Sequence, residues 1–251
     1  MTPEEKFKHE LEVFRTEVES ATQFFYAYMA IHSEIAEKKD VLKFVNEMPL
    51  FWKTIIGALQ ISMFITLGRI FDKKSKHNID SLLKIAIKNK DIFSKTSLEA
   101  RKRKDSENAD EWIDEYIQNA YEPTDADFSR LEKHVEKYRK LYDSSYRKIR
   151  NKIFAHKELS EPSQIEKLFK KTNIRELERI FTFLSKLYEA LWQLLNNGRK
   201  PILRPVPYSL KSMKKKKISK WHSTTVQERI VQETMAFFKN NTKKGTTKRF
   251  T

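Results

Sequence analysis

A short stretch of the sequence, residues 147–156, places side chains that could do chemistry next to apolar residues that must pack. It contains the guanidinium of Arg150, the carboxamide of Asn151 and the imidazole of His156. An imidazole exchanges protons near neutral pH because its ordinary pKa is roughly 6.5. The stretch therefore indicates a possible acid or base at His156.

The helical position of His156 suits either a residue packed in the core or an acid–base group in a cleft between two chains. Val135, Tyr142, Ile149 and His156 are each seven residues apart, so on one continuous helix they share a face. A lone histidine on such an apolar stripe is most often a core residue. On a straight helix Arg150 and His156 lie about 120° apart and roughly 9 Å along the axis, so one chain brings them together poorly. Pairing of this stripe with a second copy around a twofold axis would line one cleft with both residues from each chain, which predicts a homodimer.

These residues carry a family resemblance. Arg150, Asn151 and His156 resemble the motif of the HEPN superfamily, in which an Arg and a polar residue are followed by a His after four to six intervening positions. Here the intervening positions are 151–155. The run Leu67-Gly68-Arg69-Ile70-Phe71-Asp72, followed by Ser81-Leu82-Leu83, is similar to the abortive-infection U-type branch of that superfamily. The similarity covers about residues 7–196.

The resemblance implies a dimeric, metal-independent endoribonuclease of the kind found among toxins and phage-defence effectors. It implies that Arg150 stabilises charge on the scissile phosphate, that Asn151 positions the Arg or the phosphate, and that His156 moves a proton during attack by the ribose 2′-hydroxyl. RNA is then the partner, an antitoxin or defence-system protein is a further one, and no cofactor is needed. The alternatives are a noncatalytic HEPN-like module that binds nucleic acid or protein, and a helical interaction protein.

Other polar residues are interpreted beside this motif. Arg147 and Lys152 are candidates for binding nucleic acid, although a solvated helix face explains them as well. Arg69 and Asp72 are three residues apart on a helix and are expected to pair with each other rather than to support a site. The sequence has six histidines and no cysteine, and none of the histidines has metal-ligand spacing, so no metal site is expected.

The composition predicts an all-α fold. Four glycines and seven prolines in 251 residues are too few for the turns of a sandwich or barrel. Helical apolar spacing and N-cap signals predict a first helix from Thr2 to about Ile35, a central helix from Phe51 to about Phe71, a long helix after Thr124 and a last one from Asn173 to Gly198. Shorter helices are expected between them. Together they predict an antiparallel bundle of four to five main helices over residues 1–198.

The positive charge is concentrated after the bundle. Residues 199–251 contain 15 Lys and Arg but two acidic residues, so they carry +13 of the net charge of +16. Three prolines within 201–207 predict a linker, and the rest predicts a basic arm with a possible short helix capped by Thr224 or Thr225. We expect the bundle to fold without this arm. The lysines expected to bind nucleic acid are Lys211, Lys214, Lys215, Lys216 and Lys217. The alternatives are a solvated, solubilising tail and an arm that binds anionic lipid or an acidic protein.

The sequence gives no sign of export or of a membrane anchor. Its first residues lack the cationic start and apolar core of a signal peptide, which predicts a cytoplasmic protein. The longest uncharged run, Thr54 to Gly68, is shorter than the 18 or more residues of a membrane span. This run is therefore expected to be a buried core helix.

Overall fold

The structure is a computed structural model that describes residues 1–155, 161–170, 172–204, 209–216 and 225–242. Most of these residues are helical. The helices are α1 (Pro3–Glu37), α2 (Lys39–Glu47), α3 (Pro49–Phe71), α4 (Ile79–Lys88), α5 (Lys95–Asp105), α6 (Ile113–Asn119), α7 (Asp125–Leu141), α8 (Arg147–Ile149), α9 (Pro162–Phe169), α10 (Ile174–Asn197), α11 (Leu210–Lys215) and α12 (Val226–Thr242). Within these ranges there is no strand, which confirms the all-α class. The helices are more numerous than the four to five expected.

Helix α1 is the longest and contacts α3, α4, α10 and α12. It starts where the sequence predicts, because the Thr2 hydroxyl accepts a hydrogen bond from the Glu5 N–H and the Glu5 carboxylate accepts one from the Thr2 N–H. This reciprocal cap satisfies two N–H groups that a helix end leaves without partners. Its buried stripe, with Phe7, Leu11 and Phe14, forms one side of the main core.

Helix α3 has two different halves. Its last third, from Met63 to Phe71, is largely buried, as a core helix should be. The part before Met63 exposes Leu50, Phe51 and Ile61, so the expectation of a buried helix holds for only part of its length. Among the described residues α3 is the one helix whose length and mean hydropathy would also suit a membrane span, a property that core helices share.

The long predicted helix from Thr124 is interrupted by two π-helical turns. Thr124 and Asp127 form the expected reciprocal cap of α7. After α7 come a π-turn at Tyr142–Tyr146, the single helical turn α8, and a second π-turn at Arg150–Ala155. A π-turn contains one more residue than an α-turn and rotates the following residues. This is why Tyr146 is fully buried, whereas Ser145, which an unbroken helix would place in the core, is not.

The described part of the C-terminal segment packs on the bundle. Helix α12 contacts α1 and α2, and its residues Val231 and Phe238 are fully buried. Met213 of α11 is also buried in the main core. The expected arm therefore contains a helix of 17 residues that forms part of the core, and not only a short helix in a solvated tail.

Candidate active site

The candidate site forms where the second π-turn passes the C-terminal end of α3. Arg139 of α7 holds these elements together, because its guanidinium donates to the Phe71 carbonyl at 2.8 Å and to the Asp80 carboxylate at 2.6 Å. Phe71 also stacks on Tyr142, with ring centroids 5.0 Å apart. These contacts bring Asp72, the residue after α3, next to the side chain of Arg150.

The guanidinium of Arg150 is half-buried and held on two sides. Its Nη1 donates to Asn151 Oδ1 at 2.7 Å and to Asp72 Oδ2 at 3.3 Å. Its Nε is buried and has no hydrogen-bond partner among the described residues. An arginine fixed in this way keeps its charge in one position, which lowers the entropy lost when an anion binds.

Gly68 makes room for this guanidinium. A methyl group at Gly68 would lie 2.6 Å from Arg150 Nε and 3.0 Å from Cζ. A larger residue at position 68 would therefore require the side chain of Arg150 to move from this position.

The surroundings of Asp72 favour its ionised form. Its partial burial raises the pKa, but the hydrogen bond from the Lys74 N–H and the positive charges of Arg150 and Arg147 outweigh burial, so the pKa of Asp72 lies below its ordinary value. Arg147 lies 3.7 Å from the Asp72 carboxylate and also pairs with Asp143 at 3.3 Å. The site thus contains two arginines around one carboxylate.

Tyr142 places a buried hydroxyl under the same arginines. Burial raises the pKa of Tyr142 to about 12, although Arg150 and Arg147 act in the opposite direction. Its hydroxyl has no hydrogen-bond partner among the described residues. The hydroxyl therefore stays protonated at neutral pH and is a hydrogen-bond donor, not a base.

The expected pair between Arg69 and Asp72 is wrong. Arg69 instead pairs with Glu17, with 2.8 Å between Nη2 and Oε2, and donates to Thr66. Asp72 has extended backbone angles because it follows the last helical residue, so its carboxylate does not lie over Arg69. The sequence spacing assumed a helix that continues through both residues.

The structure brings together part of the predicted catalytic set. Arg150 and Asn151 are in direct contact, whereas His156 lies outside the described residues. Lys152 is exposed in the second π-turn, and Arg147 is half-exposed beside Asp72. Within the described ranges no group of three or more His, Asp or Glu residues is arranged to hold a metal ion.

The lysines of the C-terminal segment differ in what they contact. Lys214 pairs with the buried Glu34 at 2.9 Å and with Glu37 at 2.7 Å, and Lys216 pairs with Glu228 at 2.5 Å. These two therefore engage carboxylates of the chain itself. Lys211 and Lys215 are exposed, and Lys217 lies outside the described residues.

The stripe that suggested a dimer packs inside one chain. Val135, Tyr142 and Ile149 are all buried in the main core. Within the described residues this part of the stripe is therefore used inside the chain. The homodimer with Arg150 to His156 lining one groove stays a prediction.

Sequence reasoning missed the contact of Asp72 and Gly68 with Arg150. Both residues belong to the sequence Leu67 to Asp72, which is part of the family resemblance. The resemblance pointed to these residues but did not predict that they contact Arg150. The contact joins residues 78 positions apart and follows from the packing of α3 against the second π-turn.

The fold and the site together define a class of protein. The chain is all-helical, and Arg150 and the adjacent Asn151 follow a long helix and lie beside α3, an arrangement that fits the HEPN superfamily. The family HEPN_AbiU2: AbiU2 matches residues 4–220, and the chain belongs to this family. The match extends beyond Asn196 and includes α11. A search of curated proteins found no match, and neither did a search of solved structures.

Proposed function

We propose that this chain is a metal-independent endoribonuclease that acts as an effector of abortive infection. The observation that carries the proposal is the guanidinium of Arg150, which Asn151 and Asp72 hold in one position. The buried hydroxyl of Tyr142 lies nearby and has no hydrogen-bond partner among the described residues. Membership of a family of abortive-infection HEPN proteins supports the same assignment.

In the proposed reaction the ribose 2′-oxygen attacks the adjacent phosphorus while the bond to the 5′-oxygen breaks. The 2′-hydroxyl proton leaves to a base and a proton reaches the departing 5′-oxygen, so the products are a 2′,3′-cyclic phosphate and a 5′-hydroxyl. Arg150 stabilises the added negative charge on the phosphate oxygens. Asn151 orients Arg150, and His156 is the proposed proton-transfer residue.

The proposal also includes a homodimer, as the family resemblance implies. Two copies would supply two Arg150 and His156 pairs to one groove. Light scattering at working concentration tests this part on its own, and a monomer that cleaves RNA would contradict the shared groove but not the chemistry.

The test of the chemistry is a cleavage assay with mixed RNA in excess EDTA. We expect R150A to lower the rate by on the order of 100-fold or more, because a donor to the transition-state charge is lost. H156A should abolish cleavage as well. The matched control is K148A, which removes an exposed cation from α8 and should cleave normally.

Two readouts separate this function from the alternatives. RNA with 2′-O-methyl groups should resist cleavage, because it has no nucleophile. A chain that shifts RNA in a gel and never cleaves it would support the noncatalytic binding module instead. Cleavage by R150A at the rate of the parent chain would refute the assigned role of Arg150.

A further inference from the structure

A basic groove lies between the start of α10 and α11, outside the residues that the proposed chemistry uses. Its volume is about 820 Å³. Arg175 and Arg179 line it from α10, and Lys211 lines it from α11. The two arginines are one helical turn apart, about 6 Å along the axis, so they project from the same face of α10.

The three cations of this groove are available to a ligand. All three side chains belong to exposed residues. In the part of the chain that the structure describes, no carboxylate lies within 4.0 Å of the charged nitrogens of Arg175, Arg179 or Lys211, although Arg175 interacts electrostatically with Glu178. Most other arginines of the bundle are in ion pairs. A cluster of unpaired cations in one concavity attracts an anion with several charges.

Two further features of the groove favour an anion. The groove opens at the N-terminal end of α10, a helix of 24 residues. The free N–H groups and the positive end of the helix dipole lie at this end and attract anions. Glu178 is the acidic side chain in the lining; burial raises its pKa, and the charge of Arg175 acts in the opposite direction. Ser209 adds a hydroxyl on the opposite wall.

Hydrogen bonds link the groove to the segment that leads to Arg150. Tyr146 donates from its hydroxyl to the Asn173 carbonyl at 3.0 Å and accepts from the Asn173 N–H at 3.2 Å. Asn173 caps α10 and lines the groove, and Tyr146 lies four residues before Arg150. Tyr146 is fully buried, so this contact fixes the start of α10 against the segment that leads to Arg150.

We infer that this groove binds the phosphates of a single-stranded RNA on one side of the scissile bond, with Arg175 and Arg179 contacting consecutive phosphates. The inference rests on the proposed function, because it takes the RNA bound at Arg150 as the source of those phosphates. Arg175 and Arg179 are positioning residues here and take no part in proton transfer.

Binding is measured with the full chain and a fluorescent single-stranded RNA of 20 nucleotides carrying 2′-O-methyl groups, which cannot be cut by 2′-hydroxyl attack. The variant is R175Q/R179Q, and a matched control is K84Q/K88Q, two exposed cations with the same spacing on α4. Each phosphate contact on a single strand contributes roughly 0.7 to the slope of log affinity against log salt concentration. We therefore expect R175Q/R179Q to reduce the slope by about 1.4, with a loss of affinity that is greatest at low salt, and K84Q/K88Q to keep the parent slope.

The outcomes separate the groove from the chemistry. Equal slopes for R175Q/R179Q, K84Q/K88Q and the parent chain would overturn the groove, whether or not the chain cleaves RNA. A lower slope for R175Q/R179Q alone, in a chain that never cleaves unmodified RNA, would support the groove and refute the proposed nuclease. If the parent chain does not bind the RNA at all, the groove assignment is wrong.

Discussion

At the scale of single residues, the contact between Gly68 and Arg150 offers the sharpest test of the site. In G68A the new methyl group would displace the guanidinium, and a displacement of about 1 Å in a catalytic group can cost on the order of 100-fold in rate. The loss should appear in the RNA cleavage assay with little change in circular dichroism.

The control for this prediction is G57A in the same helix. A methyl group at Gly57 meets no atom within 4 Å. Replacing an interior helical glycine with alanine should stabilise the chain by about 0.5–1 kcal/mol, with cleavage unchanged. Equal activity in G68A and G57A would contradict the positioning of Arg150 by α3.

Asp72 gives a prediction about pH. The lowered pKa means that its interaction with the arginines stabilises the fold above its unfolded pKa and is lost as the pH falls through the lower folded value. D72N should therefore melt earlier than the parent chain at pH 7, and this difference should shrink in melts at increasingly acid pH. A difference that is constant from neutral to strongly acid pH would show that the Asp72 charge does not act in this way.

At the scale of elements, the sequence predicted the starts of helices better than their continuity. The N-caps at Thr2 and Thr124 and the end of α10 at Gly198 were predicted correctly, because each depends on neighbouring residues. The π-turns after α7 were not predicted. They insert a residue without any distinctive residue type, and packing across the core decides where the insertion lies.

The first π-turn predicts an asymmetric response to deletions. Ser144 is an exposed residue of that turn, so its removal lets an α-helical turn form while Tyr146 and Arg150 keep their places. Deleting Lys133 inside α7 instead rotates all following residues by 100° and breaks their packing. We expect the Ser144 deletion to remain folded in thermal melts and the Lys133 deletion to unfold; the reverse would contradict the π-turn.

At the scale of the whole molecule, the charge composition did not predict that the C-terminal segment packs in the core. The excess of lysine predicted a solvated arm, and the apolar residues of α12 were too few to show what they pack against. In the structure, Lys214 neutralises the buried Glu34 of α1, and Phe238 enters a second core with Val41, Val45 and Trp52. Long-range contacts of this kind depend on tertiary packing and cannot be read from local spacing.

This packing predicts that the two ends of the basic segment behave differently on truncation. Removal of residues 199–251 takes away α11 and α12 and exposes the apolar faces that they cover, so the melting temperature should fall markedly. Removal of 243–251 takes away four basic residues and leaves both helices in place, so the melting temperature should hardly change. A long truncation that melts like the parent chain would restore the original expectation of a bundle that ends at residue 198.

The adjacent phenylalanines of α12 test the same packing without removing any charge. Phe238 is fully buried against Trp52 and Phe44, whereas Phe237 is 47% exposed. Because the buried ring leaves a cavity, F238A should cost about 3–5 kcal/mol of unfolding free energy. F237A makes the same chemical change one position away and should cost about 1 kcal/mol or less. Denaturant titration of both variants measures the two values. Equal small losses would mean that α12 lies loosely on the bundle, as expected for a free basic arm.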